Sequence, residues 1–305
     1  LEQWAQAASC YERALALEPD NAAYALRWGK ALVRTAEFAE GARVLRDSIR
    51  LLGDAEGSRE ANAEAHLLLG EACAGMNEHE DAIVARERAL ALEPKYTDLH
   101  AVIARSHEAL GADERAVDAY KMALRYRPDE ASLHARLGHP LRRLGRSDEA
   151  IDSFAKAVAL ASEDPAYLYE LGASLSATGK YDEARKQLRE SVRIRPDDAA
   201  AQKSLAEACV ALDRADEAIA AYESAVALDP AYTQGKIALG ALLVRAGQDA
   251  KAVTVLEDAQ KALPDDAKLL AALGGALLRL GRNDEAAEVL ERAVKAEPSD
   301  AQLRL

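Results

Sequence analysis

A 34-residue period in the proline positions constrains the fold of this chain more than any other feature. Proline recurs at steps of 34 or twice 34 residues, at Pro94, Pro128, Pro196, Pro230, Pro264 and Pro298. A fixed period of this size predicts a stack of similar supersecondary units and not one closed hydrophobic core. We expect one array over residues 1–305, built from eight full units and a half unit. The predicted units are 1–21 (partial), 22–55, 63–96, 97–130, 131–164, 165–198, 199–232, 233–266 and 267–300, with an inserted loop at 54–62.

Small residues occupy three positions of every unit. The eighth, twentieth and twenty-seventh positions hold Gly, Ala or Ser throughout, as in Gly138, Ala150 and Ala157. A bulky residue such as Phe154 usually follows the second small residue by four, and Arg86 takes this place in one unit. Antiparallel helices cross closely only where the side chains at the crossing are small. The pattern therefore predicts helix hairpins packed through small residues and apolar knobs.

The turn within each hairpin is marked at the fifteenth position. This position holds residues that tolerate a left-handed backbone at the end of a helix. They are Gly111, Gly145, Gly179, Gly247 and Gly281, with Asn77 and Asp213 in two other units. Ala36 is the exception. Acidic pairs such as Asp148-Glu149 follow, where carboxylates favour the positive end of a helix dipole.

Three irregularities interrupt the period. Seven extra residues around Gly53–Arg59 predict either a longer loop or a lengthened helix that changes the pitch of the superhelix or contacts a partner. Pro140 falls inside a predicted first helix, where it removes a backbone donor and predicts a kink. The kink is either a tolerated irregularity or part of a pocket wall. Ser162 replaces an expected proline, and Asp164-Pro165 then predicts an N-cap followed by a proline at the first helical position.

With these positions assigned, the chain resembles the tetratricopeptide repeat family. The segments GKYDEARKQLRESVRIRP and GRNDEAAEVLERAVKAEP are similar to the second half of the family's repeat, and the resemblance spans essentially the whole chain. It implies an all-α fold, a right-handed superhelical α-solenoid of stacked antiparallel helix hairpins. It also implies that the chain is not an enzyme, because the motif residues of this family hold hairpins together and perform no chemistry.

The resemblance also implies a binding groove. In the family, the first helices of successive hairpins line a concave surface, to which positions 2, 5, 9, 12 and 13 contribute. These positions predict a basic centre, an adjacent aromatic and polar zone, and an apolar end. The predicted site residues are Arg105, Glu108, His139, Arg142, Arg143, Tyr169, Ser176, Lys203, Ile237, Val244 and Leu278.

The predicted basic centre suits a carboxylate, either of an acidic peptide or of a C-terminus. We expect charge reversal at Arg142 and Arg143 to weaken partner binding, unless these two arginines only solvate the surface. The ninth position never holds Asn, so the clamp that chaperone-tail-binding members of the family use is not expected.

Charge and composition narrow the partners. The net charge of −13 argues against wholesale binding of nucleic acid or anionic membranes. No apolar run is long enough to span a bilayer. His66, His100 and His134 share the fourth position of consecutive units, but their predicted spacing of one repeat is too large for a shared metal. We therefore expect no metal, no cofactor and no catalytic residue.

Three functional hypotheses follow. The preferred one is a scaffold that binds a peptide or protein segment in the groove. The first alternative is a non-catalytic arm that presents substrates within a larger multidomain enzyme. The second is a structural protein that self-associates through its uncapped ends. The chain begins and ends in mid-repeat, which favours a fragment of a longer protein, and its composition favours a bacterial source and a cytoplasmic location.

Overall fold

The computed structural model describes residues 2–53 and 56–296, and within these residues the regular structure is entirely helical. The predicted all-α solenoid of helix hairpins is confirmed. Pro298 and the predicted end of the last unit at residue 300 lie outside the described residues. The α-helices within the described residues are α1 (Glu2–Leu17), α2 (Ala22–Arg34), α3 (Phe38–Leu52), α4 (Arg59–Gly75), α5 (His79–Leu92), α6 (Leu99–Ala109), α7 (Asp113–Tyr126), α8 (Ala131–Arg143), α9 (Ser147–Leu160), α10 (Pro165–Ala177), α11 (Tyr181–Ile194), α12 (Ala199–Ala211), α13 (Ala215–Leu228), α14 (Thr233–Arg245), α15 (Asp249–Ala262), α16 (Ala267–Arg279) and α17 (Asn283–Ala296).

The chain divides into two compact units, residues 1–160 and 161–305. The first contains α1 and the hairpins α2–α3, α4–α5, α6–α7 and α8–α9. The second contains the hairpins α10–α11, α12–α13, α14–α15 and α16–α17. The prediction of one array over residues 1–305 concerns the arrangement of these two units and stays a prediction.

Each hairpin is closed by a knob over a small residue. The residues at positions 8, 20 and 27 are buried in all eight hairpins. A β-carbon on Gly29 would lie 2.6 Å from Cγ of Leu45, and one on Gly172 would lie 2.6 Å from Cγ of Leu188. Because these distances are far below van der Waals contact, only a small residue lets the two helices approach. The predicted packing is confirmed.

The hairpin turns have the predicted left-handed backbone. Gly111 has φ +68°, and Asn77 and Asp213 have φ +61° and +55°. Ala36, which the turn pattern marked as an exception, adopts φ +65° as well. Hairpin geometry therefore overrides the preference of alanine for a negative φ at this position.

The second compact unit begins with the N-cap that its sequence predicts. The Asp164 carboxylate accepts a hydrogen bond from the Ala166 amide at 2.9 Å, and Pro165 begins α10. Asp198 and Asp266 cap α12 and α16 in the same way. The predicted capping at Asp164 is confirmed.

The inserted segment differs from the predicted loop at 54–62. Helix α4 already begins at Arg59, four residues before the predicted unit start, and a 3-10 turn at Glu56–Ser58 precedes it. The early start is stabilised locally, because the Asn62 side chain donates a hydrogen bond to the Gly53 carbonyl at 2.5 Å. Most of the insertion thus forms helical structure.

Helix α8 continues through Pro140 to Arg143. Pro140 is buried, and its carbonyl still accepts a hydrogen bond from the Leu144 amide at 3.0 Å.

No described helix is both long and apolar enough to cross a membrane.

Candidate interaction surfaces

The exposed side of the first helices is the candidate site. Within the compact units, first helices of neighbouring hairpins contact each other directly, as α2 does with α4, α10 with α12, and α14 with α16. Residues at the same repeat position therefore form rows across neighbouring helices. We call the residues at positions 2, 5, 9, 12 and 13 the first-helix surface.

Arg143, in the first compact unit, is paired with carboxylates of the preceding hairpin. Its Nε lies 3.0 Å from both carboxylate oxygens of Asp113, and its Nη2 donates to Asp113 at 2.7 Å and to Glu108 at 3.0 Å. The side chains of Asp113 and Glu108 are only 13% and 19% exposed. These hydrogen bonds raise the pKa of Arg143 above its usual range. The arginine predicted to bind a ligand thus ties α8 to the preceding hairpin.

Glu108 has a second partner in the same hairpin. It accepts a hydrogen bond from the Tyr120 hydroxyl at 2.5 Å. Tyr120 is fully buried, and burial, followed by this bond to the carboxylate, raises the pKa of its phenol. Glu108 therefore links the exposed Arg143 to the core and is a structural acceptor.

His139 and Arg142 lie together over one aromatic ring. The Arg142 Cζ is 5.7 Å from the ring centroid of Phe154, and its Nη2 lies 3.5 Å from Nδ1 of His139. The His139 ring meets Phe154 edge to face at 5.3 Å. Two of the predicted residues are thus brought together beside Pro140. Arg105 is also exposed on the first-helix surface, on α6.

In the second compact unit, the twelfth repeat position is aliphatic on three successive first helices. Val244 is half-buried on α14, and Leu278 is 49% exposed on α16. Val210 of α12 shares the twelfth repeat position with both and is 42% exposed. The sequence analysis missed Val210, although its register alone could have identified it. We call Val210, Val244 and Leu278 the aliphatic row.

The other predicted residues of the second compact unit lie on α10, α12 and α14. Ile237, Tyr169 and Ser176 are half-buried. Lys203 is exposed on α12, with its Nζ 4.9 Å from the ring centroid of Tyr232. The aromatic and polar zone that was predicted next to the basic centre therefore belongs to the second compact unit.

Arginines at the thirteenth position repeat the tie seen at Arg143. Arg245 pairs with Asp213 at 3.1 Å, and Arg279 pairs with Asp249 at 2.5 Å. Each arginine reaches back to the turn or the second helix of the preceding hairpin. These cations therefore link neighbouring hairpins, a role that the sequence alone did not distinguish from ligand binding.

Two sets of side chains carry groups that can ligate a metal. Donor atoms of Cys73, Glu78 and Asp81 lie within 4.8 Å of one another, but the Arg46 guanidinium lies 3.4 Å from Asp81. Burial raises the pKa of the Cys73 thiol, which disfavours the thiolate that a metal ion would need, and Asp81 already pairs with Arg46. His66, His100 and His134 each line a different groove between second helices.

Comparison with known proteins places this architecture in a family. A tetratricopeptide repeat model matches residues 169–233 and 237–301, and a second model of the same description matches residues 129–197. Together these matches cover more than half of the chain. No curated protein matches the chain.

Solved structures agree with the fold. The chain is similar to YrrB, described as a tetratricopeptide repeat protein with an unusual peptide-binding site, with a TM-score of 0.57 and 20% identity over 61% of this chain and 96% of YrrB. It is similar to PilF of Pseudomonas aeruginosa, with a TM-score of 0.52 and 18% identity over 69% of this chain and 96% of PilF. MamA from AMB-1 gives a TM-score of 0.51 and 19% identity over 57% of this chain and 96% of MamA. At these identities the likeness shows the fold alone.

The matched repeat models agree with the 34-residue period and with the knob-over-glycine packing of the hairpins. Arrays of this kind serve as scaffolds for protein–protein interaction. The chain belongs to the tetratricopeptide repeat family.

Proposed function

We propose that this chain is a non-catalytic scaffold that holds a peptide or protein segment against its first-helix surface. The observation that carries the proposal is the aliphatic row of the second unit. Val210 and Leu278 are 42% and 49% exposed, although each has an aliphatic side chain with no polar group to solvate. Exposed aliphatic side chains at one repeat position of successive first helices can supply the apolar anchor that a partner segment needs.

The surface beside Val244 and Leu278 has low relief. The ninth position, one helical turn earlier, holds Ala241 on α14 and Gly275 on α16. A β-carbon placed on Gly275 would meet no atom within 4 Å, so the space above the helix is open. A partner backbone can approach closely there, as an amphipathic segment does when its apolar side chains fill a shallow groove.

The arginines at the edge of the row can orient a bound segment. Arg245 and Arg279 flank it, and each already pairs with an aspartate of the preceding hairpin. Such paired arginines orient a ligand through their remaining donors and contribute less affinity than a free cation. We therefore expect aliphatic anchors of the partner to dominate affinity. The description of YrrB as a peptide-binding repeat protein supports the same class of ligand.

A matched pair of variants tests this function. Leu278→Glu places a charge in the row, whereas Leu228→Glu places the same charge on the second helix α13, at a residue of similar exposure, 41%. Partners are captured from a lysate of the source organism and identified by mass spectrometry. The bound segment is mapped by truncation, and its affinity is measured by calorimetry.

We expect Leu278→Glu to weaken binding about tenfold to a hundredfold, because burying a leucine contributes about 1.5–3 kcal/mol. Leu228→Glu should bind as the unmodified chain does. Equal affinity of the mapped segment for both variants would remove the aliphatic row from the proposal. Circular dichroism melting of both variants verifies that neither has unfolded.

A further inference from the structure

A charged residue replaces the apolar knob in one hairpin of the first unit. Arg86 of α5 stands where the other hairpins place a leucine, phenylalanine or tyrosine, and it is only 5% exposed. Its Cγ would lie 2.7 Å from a β-carbon on Gly70, so its stem fills the hole as the other knobs do. An apolar side chain would satisfy this packing, and the guanidinium must be explained separately.

The buried guanidinium has one neutral partner. Its Nη1 donates to the Ser106 hydroxyl of α6 at 2.8 Å. Among residues 2–53 and 56–296, no carboxylate forms an ion pair with Arg86. A buried charge without an opposite charge is strongly destabilising, which is why buried ions are normally paired. The side chain therefore lacks a counter-anion.

The nearest acid is already engaged. Glu71 of α4 attracts Arg86 electrostatically, but its carboxylate lies 2.5 Å from the Arg34 guanidinium of α2. The other nearby charge is Arg105 of α6, which repels Arg86. Burial first, and then this repulsion, lowers the pKa of Arg86. Arg86 thus interacts electrostatically with a second guanidinium and with a carboxylate that is already paired with Arg34.

The two charged residues next to Arg86 lie on the first-helix surface. Arg105 and Glu71 both occupy the ninth repeat position, on that surface. Within the described part of the chain, none of the other side-chain nitrogens of Arg86 is both fully buried and unpaired. Ser106, 4% exposed, accepts from Arg86 and keeps its own hydroxyl proton to donate.

We infer that Arg86, Arg105 and Ser106 form a binding site for a carboxylate group of a ligand. A planar carboxylate can accept two parallel N–H bonds from a guanidinium and a third from a hydroxyl. A phosphate dianion is disfavoured because Glu71 lies beside the site and the whole chain carries a net charge of −13. The site lies in the first unit and is separate from the aliphatic row of the second.

Acetate is the first probe. The Nε–Hε resonance of Arg86 in the full chain, assigned with the Arg86→Leu variant, is followed during titration with sodium acetate and with sodium chloride at equal ionic strength. We expect a saturable shift with acetate that chloride does not produce. The exposed pair Arg193–Glu190 supplies the control resonance. A shift at Arg86 that is linear and equal to that at Arg193 would overturn the site.

Glu71 supplies the sharpest counter-test. If Glu71 leaves Arg34 in solution and neutralises Arg86, acetate will titrate Arg86 only in the Glu71→Gln variant and not in the unmodified chain, and the inference fails. If Arg86 lacks an anion, both proteins will titrate. The Ser106→Ala variant should weaken acetate binding, and it keeps the test open should Arg86→Leu fail to fold.

Three peptides of one sequence identify the source of the carboxylate. One carries a central Glu and an amidated C-terminus, one a central Gln and a free C-terminus, and one a central Gln and an amidated C-terminus. We expect one of the acidic peptides to bind at least tenfold more tightly than the neutral peptide, and Arg86→Leu to remove the difference. Equal affinity of all three for the unmodified chain contradicts the site.

This outcome is independent of the proposed function. Peptides that bind equally well with and without Arg86 would support the scaffold and refute the carboxylate site. A saturable acetate shift without any peptide binding would support the carboxylate site and refute the scaffold.

Discussion

A β-carbon on Gly138 would lie 2.5 Å from Cζ of Phe154, so the aromatic ring occupies the space that any larger residue on α8 would need. Phe154 is fully buried. The same relation joins Gly29 to Leu45 and Gly70 to Arg86. The glycine is therefore required by the packing of its own hairpin, whatever the chain binds.

The first prediction contrasts two helical glycines. Gly138→Ala should destabilise the protein by about 1–3 kcal/mol, because the added methyl overpacks against Phe154. Gly275→Ala should stabilise it by about 0.5–1 kcal/mol, because its β-carbon meets nothing within 4 Å and alanine favours a helix. Urea titration of the helical signal measures both. If both variants change the free energy of unfolding in the same direction, the different packing around Gly138 and Gly275 does not decide their stability.

The second prediction concerns the left-handed turn residues. Ala36 has φ +65° and is exposed, so Ala36→Gly should stabilise the protein by about 1 kcal/mol by relieving the backbone. Gly111 has φ +68° with open space around it, so Gly111→Ala should destabilise by a similar amount. Because neither change alters packing, opposite shifts of the urea midpoint isolate the backbone contribution. Parallel shifts would show that another effect dominates.

The sequence predicts those features that repeat every 34 residues. The knob at Phe154, the turn at Gly111 and the cap at Asp164 each follow from local chemistry: side-chain size, backbone freedom and a short carboxylate before a proline. The periodic positions therefore carry enough information to identify the hairpin and its packing.

Contacts between hairpins are harder to predict. Arg143 and Asp113 lie 30 residues apart, and nothing in the sequence distinguishes an arginine bound to the previous hairpin from one that awaits a ligand. The first turn of α4 depends on the hydrogen bond from Asn62 to Gly53, which only the folded chain brings together. The candidate site was therefore predicted by position but not by the pairing of its charges.

The third prediction is a loss of stability in mild acid. Burial lowers the pKa of His66, His100 and His107, with a smaller contribution from Arg88 at His66 and from Arg115 at His107. The unfolded chain therefore binds these protons more readily than the folded chain. The stabilisation is complete above the ordinary histidine pKa of about 6.5 and is lost as the pH falls through the lower folded values.

Urea midpoints at pH 7.5 and 5.5 check this expectation. The unmodified chain should have the lower midpoint at pH 5.5, and His107→Gln should narrow the difference. Surface carboxylates with a lowered pKa, such as Glu40, also lose stabilising charge in acid, but that loss comes at lower pH. A difference that is unaffected by His107→Gln would assign the acid sensitivity elsewhere.

The fourth prediction is an energetic coupling between α8 and the preceding hairpin. Asp113 is 13% exposed and holds Arg143 with both carboxylate oxygens, so its loss leaves a poorly solvated partner. A double-mutant cycle with Arg143→Gln and Asp113→Asn should give a coupling of about 1 kcal/mol. The same cycle on the exposed pair Arg193–Glu190 should give a smaller coupling, because both side chains are solvated.

The salt dependence of the coupling distinguishes the two ion pairs further. The coupling at Arg193–Glu190 should vanish in 1 M salt, whereas that at Arg143–Asp113 should persist in part because Asp113 is shielded from ions. Equal couplings would mean that Arg143 contributes little to hairpin stacking and is available to a ligand after all. A larger coupling at Arg143 makes its charge reversal a folding defect, so binding lost in an Arg143→Glu variant cannot be assigned to a partner until its stability has been restored.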